Sequence, residues 1–287
     1  MLKWARDYGC DWDAETCNAA AQGGHLEVLH WAREHNCPWD PRTCQAAAEG
    51  GHLQVLRWAR EHHCPWDAWT CASAAQGGHL EVLNWAREHH CEWDKSTCFF
   101  AAQGGQLEVL QWAVEHGCEW ERDERTMNAA AEGGHLEVLK WAREQGCAWD
   151  ETTCEYAVLG GHLEVLRWAW EHHCPWDETT CHCAARCGHL EVLRWAREHG
   201  CEWDEETCAY AAAYGHLEVL RWARENDCPW DYRTWHAAQE GGHVEVMQFL
   251  LDNGFPLEEE SEGDPEDESS DSGESEDEDM EGVSPIG

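Results

Sequence analysis

Apolar residues recur along this chain with helical spacing, in units of about 27 residues. Residues 26–34 read LEVLHWARE, in which the apolar side chains form one broad face and the charged side chains the opposite one. A broad apolar face is typical of a helix that packs against neighbours on several sides. An Ala-rich segment, 14–22, precedes it and ends at Gly23–Gly24, where glycine can adopt the left-handed conformation that turns the chain. Each unit therefore predicts two short helices.

Tryptophan positions fix the period of the units. One series lies on the second helix of each unit: Trp4, Trp31, Trp58, Trp85, Trp112, Trp141, Trp168, Trp195 and Trp222. The step is 27 residues, except for 29 residues between Trp112 and Trp141, where Glu121–Arg122 are inserted. A repeat of this length predicts a solenoid, because one unit cannot bury its apolar face alone. Two extra residues in a turn cost little, and we expect them to alter the superhelix locally.

An aspartate precedes each predicted first helix. Its carboxylate can accept hydrogen bonds from the free N–H groups of the first turn, as an N-cap residue does. In the first complete unit Trp12 and Cys17 flank Asp13 with the spacing of a hydrophobic staple, which fixes how the chain enters the helix. The cap aspartates stand at positions 13, 40, 67, 94, 123, 150, 177, 204 and 231.

The unit resembles the ankyrin repeat. Residues 16–32 read TCNAAAQGGHLEVLHWA, which matches the familiar ankyrin core around A-A-x-x-G-H-L-E-V, and the match recurs over about residues 13–256. The copy here has 27 residues instead of the usual 33, so the β-hairpin finger between helix pairs is missing. Short units rich in Cys and Trp look like the ankyrin arrays of protists, algae and large DNA viruses. The resemblance implies an all-α ankyrin-like solenoid of helix-turn-helix repeats with shortened turns between repeats.

The predicted array covers residues 1–256 and the predicted tail residues 257–287. A partial repeat, 1–12, lacks the polar cap of a solenoid and suggests a fragment or an incorrectly assigned start. Nine repeats then begin near the nine cap aspartates. The tail holds 15 Asp or Glu and no Lys or Arg, so it cannot bury enough apolar area to fold, and we expect it to be disordered.

Charge and cysteine content narrow the function. The chain carries 58 acidic and 19 basic residues, a formal charge of −39, and −24 remains without the tail. We expect no direct nucleic-acid binding, and a basic protein is the more plausible partner. Neither a signal peptide nor a membrane-spanning stretch is evident. We therefore interpret the 18 Cys as reduced thiols of a monomeric intracellular protein, cytoplasmic or alternatively nuclear.

Repeated Cys and His invite a metal site or a catalytic site. Pairs such as Cys64 and Cys71 have the spacing C-x6-C, whereas zinc sites favour closer pairs, and both positions have packing roles. The densest group is Cys181, Cys183 and Cys187 with His182. A histidine repeated in eight units is typical of a scaffold, so we predict no enzyme, no metal and no cofactor. A thiol-rich metal-binding or redox-buffering protein is the alternative.

Positions that differ between repeats are candidates for recognition. Two positions vary most clearly, two and five residues after each cap Asp. Both lie on the first helix, which lines the concave side of ankyrin-like stacks, and exposed aromatic residues there are favoured anchors. The sequence therefore predicts a non-enzymatic scaffold that binds a protein through this surface. The predicted partner-binding residues are Arg42, Trp69, Phe99, Arg125, Asn128, Glu155, His182 and Arg233.

Overall fold

The structure, a computed structural model, describes residues 12–255, all of which belong to one unit of the chain, Met1–Phe255. The first helices of the nine repeats are α1 (Ala14–Gln22), α3 (Pro41–Glu49), α5 (Ala68–Gln76), α7 (Lys95–Gln103), α9 (Glu124–Glu132), α11 (Glu151–Leu159), α13 (Glu178–Cys187), α15 (Glu205–Ala213) and α17 (Tyr232–Glu240). The second helices are α2 (Leu26–Glu34), α4 (Leu53–Glu61), α6 (Leu80–Glu88), α8 (Leu107–Glu115), α10 (Leu136–Glu144), α12 (Leu163–Glu171), α14 (Leu190–Glu198), α16 (Leu217–Glu225) and α18 (Val244–Asp252).

The predicted all-α solenoid is confirmed. Residues 12–255 contain no strand, and short turns join one helix pair to the next where a hairpin finger would otherwise stand. Each of the nine predicted repeats within this range forms one first helix and one second helix. The predicted tail, 257–287, and nearly all of the partial repeat, 1–12, lie outside the described residues.

Aspartate caps start the first helices. The carboxylate of Asp94 accepts a hydrogen bond from the Ser96 N–H at 2.9 Å, and equivalent bonds form in seven other repeats. Asp123 follows the inserted Glu121–Arg122 and accepts no hydrogen bond from its helix backbone. Its carboxylate accepts from the Arg125 side chain at 2.7 Å instead. The insertion therefore changes how the fifth repeat begins.

A glycine and a histidine join most of the repeats to the one before. Gly24 has φ +71°, and a Cβ there would lie 2.6 Å from the His52 ring of the next repeat. The ring thus fits only because position 24 has no side chain. His52 Nε2 lies 2.9 Å from the carbonyl oxygen of Gln22, a group left free at the end of α1. The contact recurs in six further repeats and links the start of the second helix to the first helix of the preceding repeat.

The core is a continuous ladder of small and branched side chains. Leu and Ala are buried in every repeat and Val and Cys in most of them, with Leu29, Leu56 and Leu83 among the largest that are fully buried. Consecutive first helices pack directly against one another through their alanines, whereas consecutive second helices make few contacts. Small side chains allow the first helices to approach closely, so the two rows of helices are unequally spaced.

Tryptophans close the other side of the array. In the second repeat the Trp39 ring lies 5.9 Å from the Trp58 ring, edge to face, and the Arg33 guanidinium lies 4.1 Å above Trp39. Arg33 also donates a hydrogen bond to the Cys37 carbonyl oxygen, which ties down the turn after α2. Arg in this position is a framework residue, since the same pair of contacts recurs in five further repeats.

Candidate functional site: the first-helix surface

The candidate site is the outward side of the first helices, which we call the first-helix surface. It consists of the positions two, five and six residues after each cap Asp. All eight residues predicted from the sequence lie on the first helices, but the structure gives them different environments. They divide into aromatic residues, ion-paired arginines and residues that bond to the next repeat.

The aromatic residues form a connected patch across α5 and α7. Trp69 is 52% exposed, and its ring lies 5.3 Å from the Phe100 ring. Phe100 in turn lies 5.3 Å from Phe99, edge to face. Both phenylalanines are half-buried. We call Trp69, Phe99 and Phe100 the aromatic patch.

Each of the three predicted arginines is held by carboxylates. Arg42 bonds to Asp40 of its own repeat at 3.0 Å and reaches Glu15 of the preceding repeat at 2.8 Å. Arg233 bonds in the same way to Asp231 and to Glu205 of the preceding repeat. These carboxylates, the cap aspartates first, raise the pKa of the guanidinium groups. The arginines therefore neutralise part of the acidic surface and couple adjacent repeats.

Arg125 belongs to a small ion cluster made by the insertion. It bonds to Asp123 and to the inserted Glu121. Glu121 also accepts a hydrogen bond at 2.7 Å from Lys95, which lies on the preceding first helix, α7. One inserted carboxylate thus bridges two cations from neighbouring first helices.

The three polar residues predicted five positions after the cap bond to the following repeat. Asn128 is buried, and its amide donates to the Thr152 hydroxyl at 2.7 Å and accepts from the Thr153 hydroxyl at 2.8 Å. Glu155 accepts from the Thr179 hydroxyl at 2.6 Å. The side chain of His182, 15% exposed, lies with Nε2 2.7 Å from a carboxylate oxygen of Asp204. The structure places Asn128 between repeats and not on the surface, because its polar atoms complete the packing.

A small pocket opens beside the aromatic patch. Lys95, Ser96, Phe99, Trp120, Glu121 and Arg125 line most of it. Its volume is about 190 Å³, below the range of about 300–1,000 Å³ that small-molecule sites occupy. A cavity of this size suits one bulky side chain, with apolar walls below and charged groups at the rim.

Sequence reasoning missed Phe100 and Trp120. Phe100 stands six residues after Asp94, a position that holds Ala, Ser, Tyr or Cys in other repeats, so variation at this third position was the available signal. Trp120 was assigned only to the framework series. Its ring is stacked on Trp141, with an interplanar angle of 16°, whereas the equivalent rings of Trp93 and Trp112 meet at 68°. The insertion accompanies this different ring orientation, which no local pattern predicted.

The buried cysteines form thiol pairs inside the repeats. Cys201 donates its thiol proton to the Asp177 carbonyl oxygen at 3.2 Å, and Cys181 donates to the Cys201 sulfur at 3.1 Å. The hydrogen bond to Cys201 and burial raise the pKa of the Cys181 thiol. Thiols with a raised pKa are poor nucleophiles and poor metal ligands. These sulfurs act as packing groups whose protons close the turn between repeats.

The densest cysteine group divides between two environments. Cys181 lies in the core, whereas Cys183 and Cys187 are half-buried on α13. Cys183 accepts a long contact of 3.9 Å from Arg186. Among residues 12–255, no group of three or more His, Cys, Asp or Glu is arranged to hold a metal ion.

Grooves also separate adjacent second helices. One, of about 630 Å³, lies between α4 and α6 and is lined by Arg57, Arg60, Trp66 and Trp85 among others. The same residue types line grooves of about 550 and 460 Å³ further along the array. These grooves repeat the framework, so they offer the same chemistry at each step and less basis for selecting one partner.

Comparison with known families agrees with the observed fold. Residues 126–207 match a family model described as ankyrin repeats, in three copies. No curated protein matches the chain. The matched segment spans most of the fifth repeat, all of the sixth and seventh, and the start of the eighth, and the helix pairs on both sides repeat its geometry. Among the described residues, no helix combines the length and the apolar character needed to cross a membrane.

Proposed function

We propose that this array of helix pairs, part of which matches ankyrin repeats, is a non-enzymatic scaffold that binds a protein partner through its first-helix surface. Ankyrin repeats are generally protein–protein interaction scaffolds. The observation that supports this surface most directly is the aromatic patch, since Trp69 is 52% exposed, whereas the described tryptophans of the two repeated series are partly or fully buried. Exposed aromatic side chains supply much of the binding energy of protein interfaces.

The packing of the helices supports a concave first-helix surface. Consecutive first helices lie against each other, and consecutive second helices are less closely packed. A stack that is tighter on one side curves toward that side. At about 8–10 Å between neighbouring helices, nine first helices would span roughly 80 Å of continuous surface.

Charge favours a basic partner. The first helices with their cap aspartates hold 19 acidic and 5 basic residues, whereas the second helices hold 17 and 11. Four of the five basic residues are already paired with carboxylates. A basic protein would gain favourable electrostatic energy along this surface, and the gain would fall with added salt.

The test is affinity capture on the immobilised chain, followed by binding measurements with the purified captured protein. The variant Trp69→Ala/Phe99→Ala/Arg125→Ala removes exposed groups and should retain the helical circular dichroism. We expect it to weaken binding at least about tenfold. The control Arg57→Ala/Lys140→Ala/Arg194→Ala alters the second helices and should bind as the unmodified chain does. Equal affinity of the two variants would exclude the first-helix surface.

The alternative function, a thiol-rich metal-binding or redox-buffering protein, gains no support from the thiol pairs. Their protons are held in hydrogen bonds, and the hydrogen bond to Cys201 together with burial raises the pKa of the Cys181 thiol. Elemental analysis of protein purified without chelators would decide. Stoichiometric zinc or copper would favour the alternative over the scaffold.

A further inference from the structure

We propose that the pocket beside the aromatic patch is a specificity site for an extended basic segment of the partner, which inserts one bulky apolar side chain into the pocket and lays an Arg or Lys over Trp69. The proposal rests on the proposed function and names the partner chemistry of one part of the first-helix surface. It concerns α5, α7 and the start of α9 only.

The pocket exists because the fourth repeat is two residues longer than the others. Glu121 lies in the insertion and bridges Lys95 and Arg125 at the rim. Trp120, just before it, lines the pocket together with Phe99. In other repeats the corresponding tryptophans, such as Trp66 and Trp149, line the grooves between second helices. The irregular repeat thus moves an aromatic wall to the first-helix surface.

The pocket calls for an apolar occupant. Its two aromatic walls are Phe99 and Trp120. The polar side chains at the rim already have partners: Lys95 and Arg125 bond to Glu121, and Arg125 also bonds to Asp123. An apolar side chain would leave these bonds intact and would gain burial of about 25 cal/mol for each Å² removed from water.

The exposed ring of Trp69 is suited to bind a cation. Elsewhere in the array an Arg lies about 4 Å above a tryptophan ring, as Arg60 does above Trp66 and Arg224 above Trp230. No cation of the described residues lies over Trp69, although its ring is half exposed on an acidic surface. An Arg or Lys from a partner would complete the contact that the chain makes repeatedly with its own residues, and such contacts strengthen when the ring is partly desolvated.

The distance between the two features sets the spacing in the partner. The Phe100 ring lies 5.3 Å from the Trp69 ring and 5.3 Å from the Phe99 ring, so it stands between them. An extended chain advances about 3.3 Å per residue, so the basic and the apolar residue should be about three positions apart. The partner segment is therefore basic and extended, with a bulky apolar residue about three positions from an Arg or Lys.

The experiment is selection of a displayed library of random dodecapeptides against the whole chain, with the selected peptides resynthesised for fluorescence anisotropy. We expect selected peptides to share a basic residue about three positions from Leu, Phe, Ile, Met or Trp. Phe99→Ala removes one wall, and Ser96→Leu fills the pocket without removing a wall. Each should weaken binding about tenfold or more. The matched control is Trp170→Ala, which removes a large aromatic side chain, 38% exposed, from a second helix.

The outcomes separate this inference from the proposed function. The inference about the pocket would be wrong if peptides bound the Phe99→Ala and Ser96→Leu variants with the same affinity as the unmodified chain. It would also be wrong if the library yielded acidic peptides or no peptides. The scaffold function would survive those results if the Trp69, Phe99 and Arg125 triple variant still lost the captured partner. Loss of peptide binding in both pocket variants, with Trp170→Ala unchanged, would support the inference.

Discussion

The Nε2 atom of His79 lies 2.9 Å from the carbonyl oxygen of Glu49, one repeat earlier. The two residues are 30 positions apart in the chain, yet the bond spans the boundary between the second and third repeats. The carbonyl belongs to the end of α3, where backbone oxygens have no partner within the helix. Each such contact therefore contributes to the coupling between neighbours on which a repeat array depends for its stability.

Replacing His79 should destabilise the array more than replacing its counterpart in the fourth repeat. Gln106 occupies the same position, but its amide bonds to the Gly104 carbonyl within its own repeat at 2.8 Å. We expect His79→Ala to lower the free energy of unfolding by about 1–2 kcal/mol, since it leaves a carbonyl unpaired and a ring-sized gap beside Gly51. Gln106→Ala should cost less. Urea denaturation followed by circular dichroism measures both, and equal losses would contradict a special role for the histidine.

Buried threonines provide a second matched pair. Thr153 donates to Asn128 at 2.8 Å, whereas the Thr180 hydroxyl has no hydrogen-bond partner among the described residues. Valine has nearly the same shape as threonine. Thr153→Val should therefore lower the free energy of unfolding by about 1 kcal/mol, and Thr180→Val should leave it unchanged or raise it, because an unpaired buried hydroxyl is removed. Thermal unfolding of both variants is the measurement, and the prediction fails if Thr180→Val is the less stable one.

The different environments of Asn128 and Phe99 show why the candidate site was only partly predictable from the sequence. The sequence places Asn128 and Phe99 at the same position after a cap Asp, and both vary between repeats. Variation indicates freedom from the repeated framework, but it does not distinguish a side chain in solvent from one that bonds to the next repeat. Asn128 is buried because its amide bonds to the hydroxyls of Thr152 and Thr153, whereas Phe99 has no polar group for such bonds and meets Phe100 and the pocket.

The fold was predictable because its causes are local and repeated. Asp94, Gly104 and the Leu of each second helix act within one unit or on its nearest neighbour, so a period of 27 residues carries them all. The Trp120 ring orientation was not predictable, because it depends on how the inserted Glu121–Arg122 redirect the chain between two helix pairs. The repeated positions predict the regular fold, whereas the pocket lies beside the two inserted residues that interrupt the 27-residue period.

The cap aspartates test the effect of the insertion on stability. Asp94 caps α7 through the Ser96 N–H, whereas Asp123 makes no such bond to α9. We expect Asp94→Ala to lower the free energy of unfolding by about 1 kcal/mol. Asp123→Ala should cost less than about 0.5 kcal/mol, because it removes only an exposed ion pair with Arg125. Chemical denaturation at low salt gives both values, and a larger loss for Asp123→Ala would show that the cap bond is not the stabilising element.

Alkaline pH should weaken the array through its buried thiols. Burial raises the pKa of the Cys147 thiol from 9.0 to about 11. The folded chain therefore keeps a proton that the unfolded chain releases, so this stabilisation is complete below pH 9 and is lost as the pH rises to about 11. Cys147→Ala removes the titrating group and should make the loss of unfolding free energy over that interval smaller by about 1–2 kcal/mol. Urea denaturation at several pH values gives both curves. The variant has a packing defect that lowers its curve equally at every pH, so curves that stay parallel above pH 9 would show that Cys147 does not contribute.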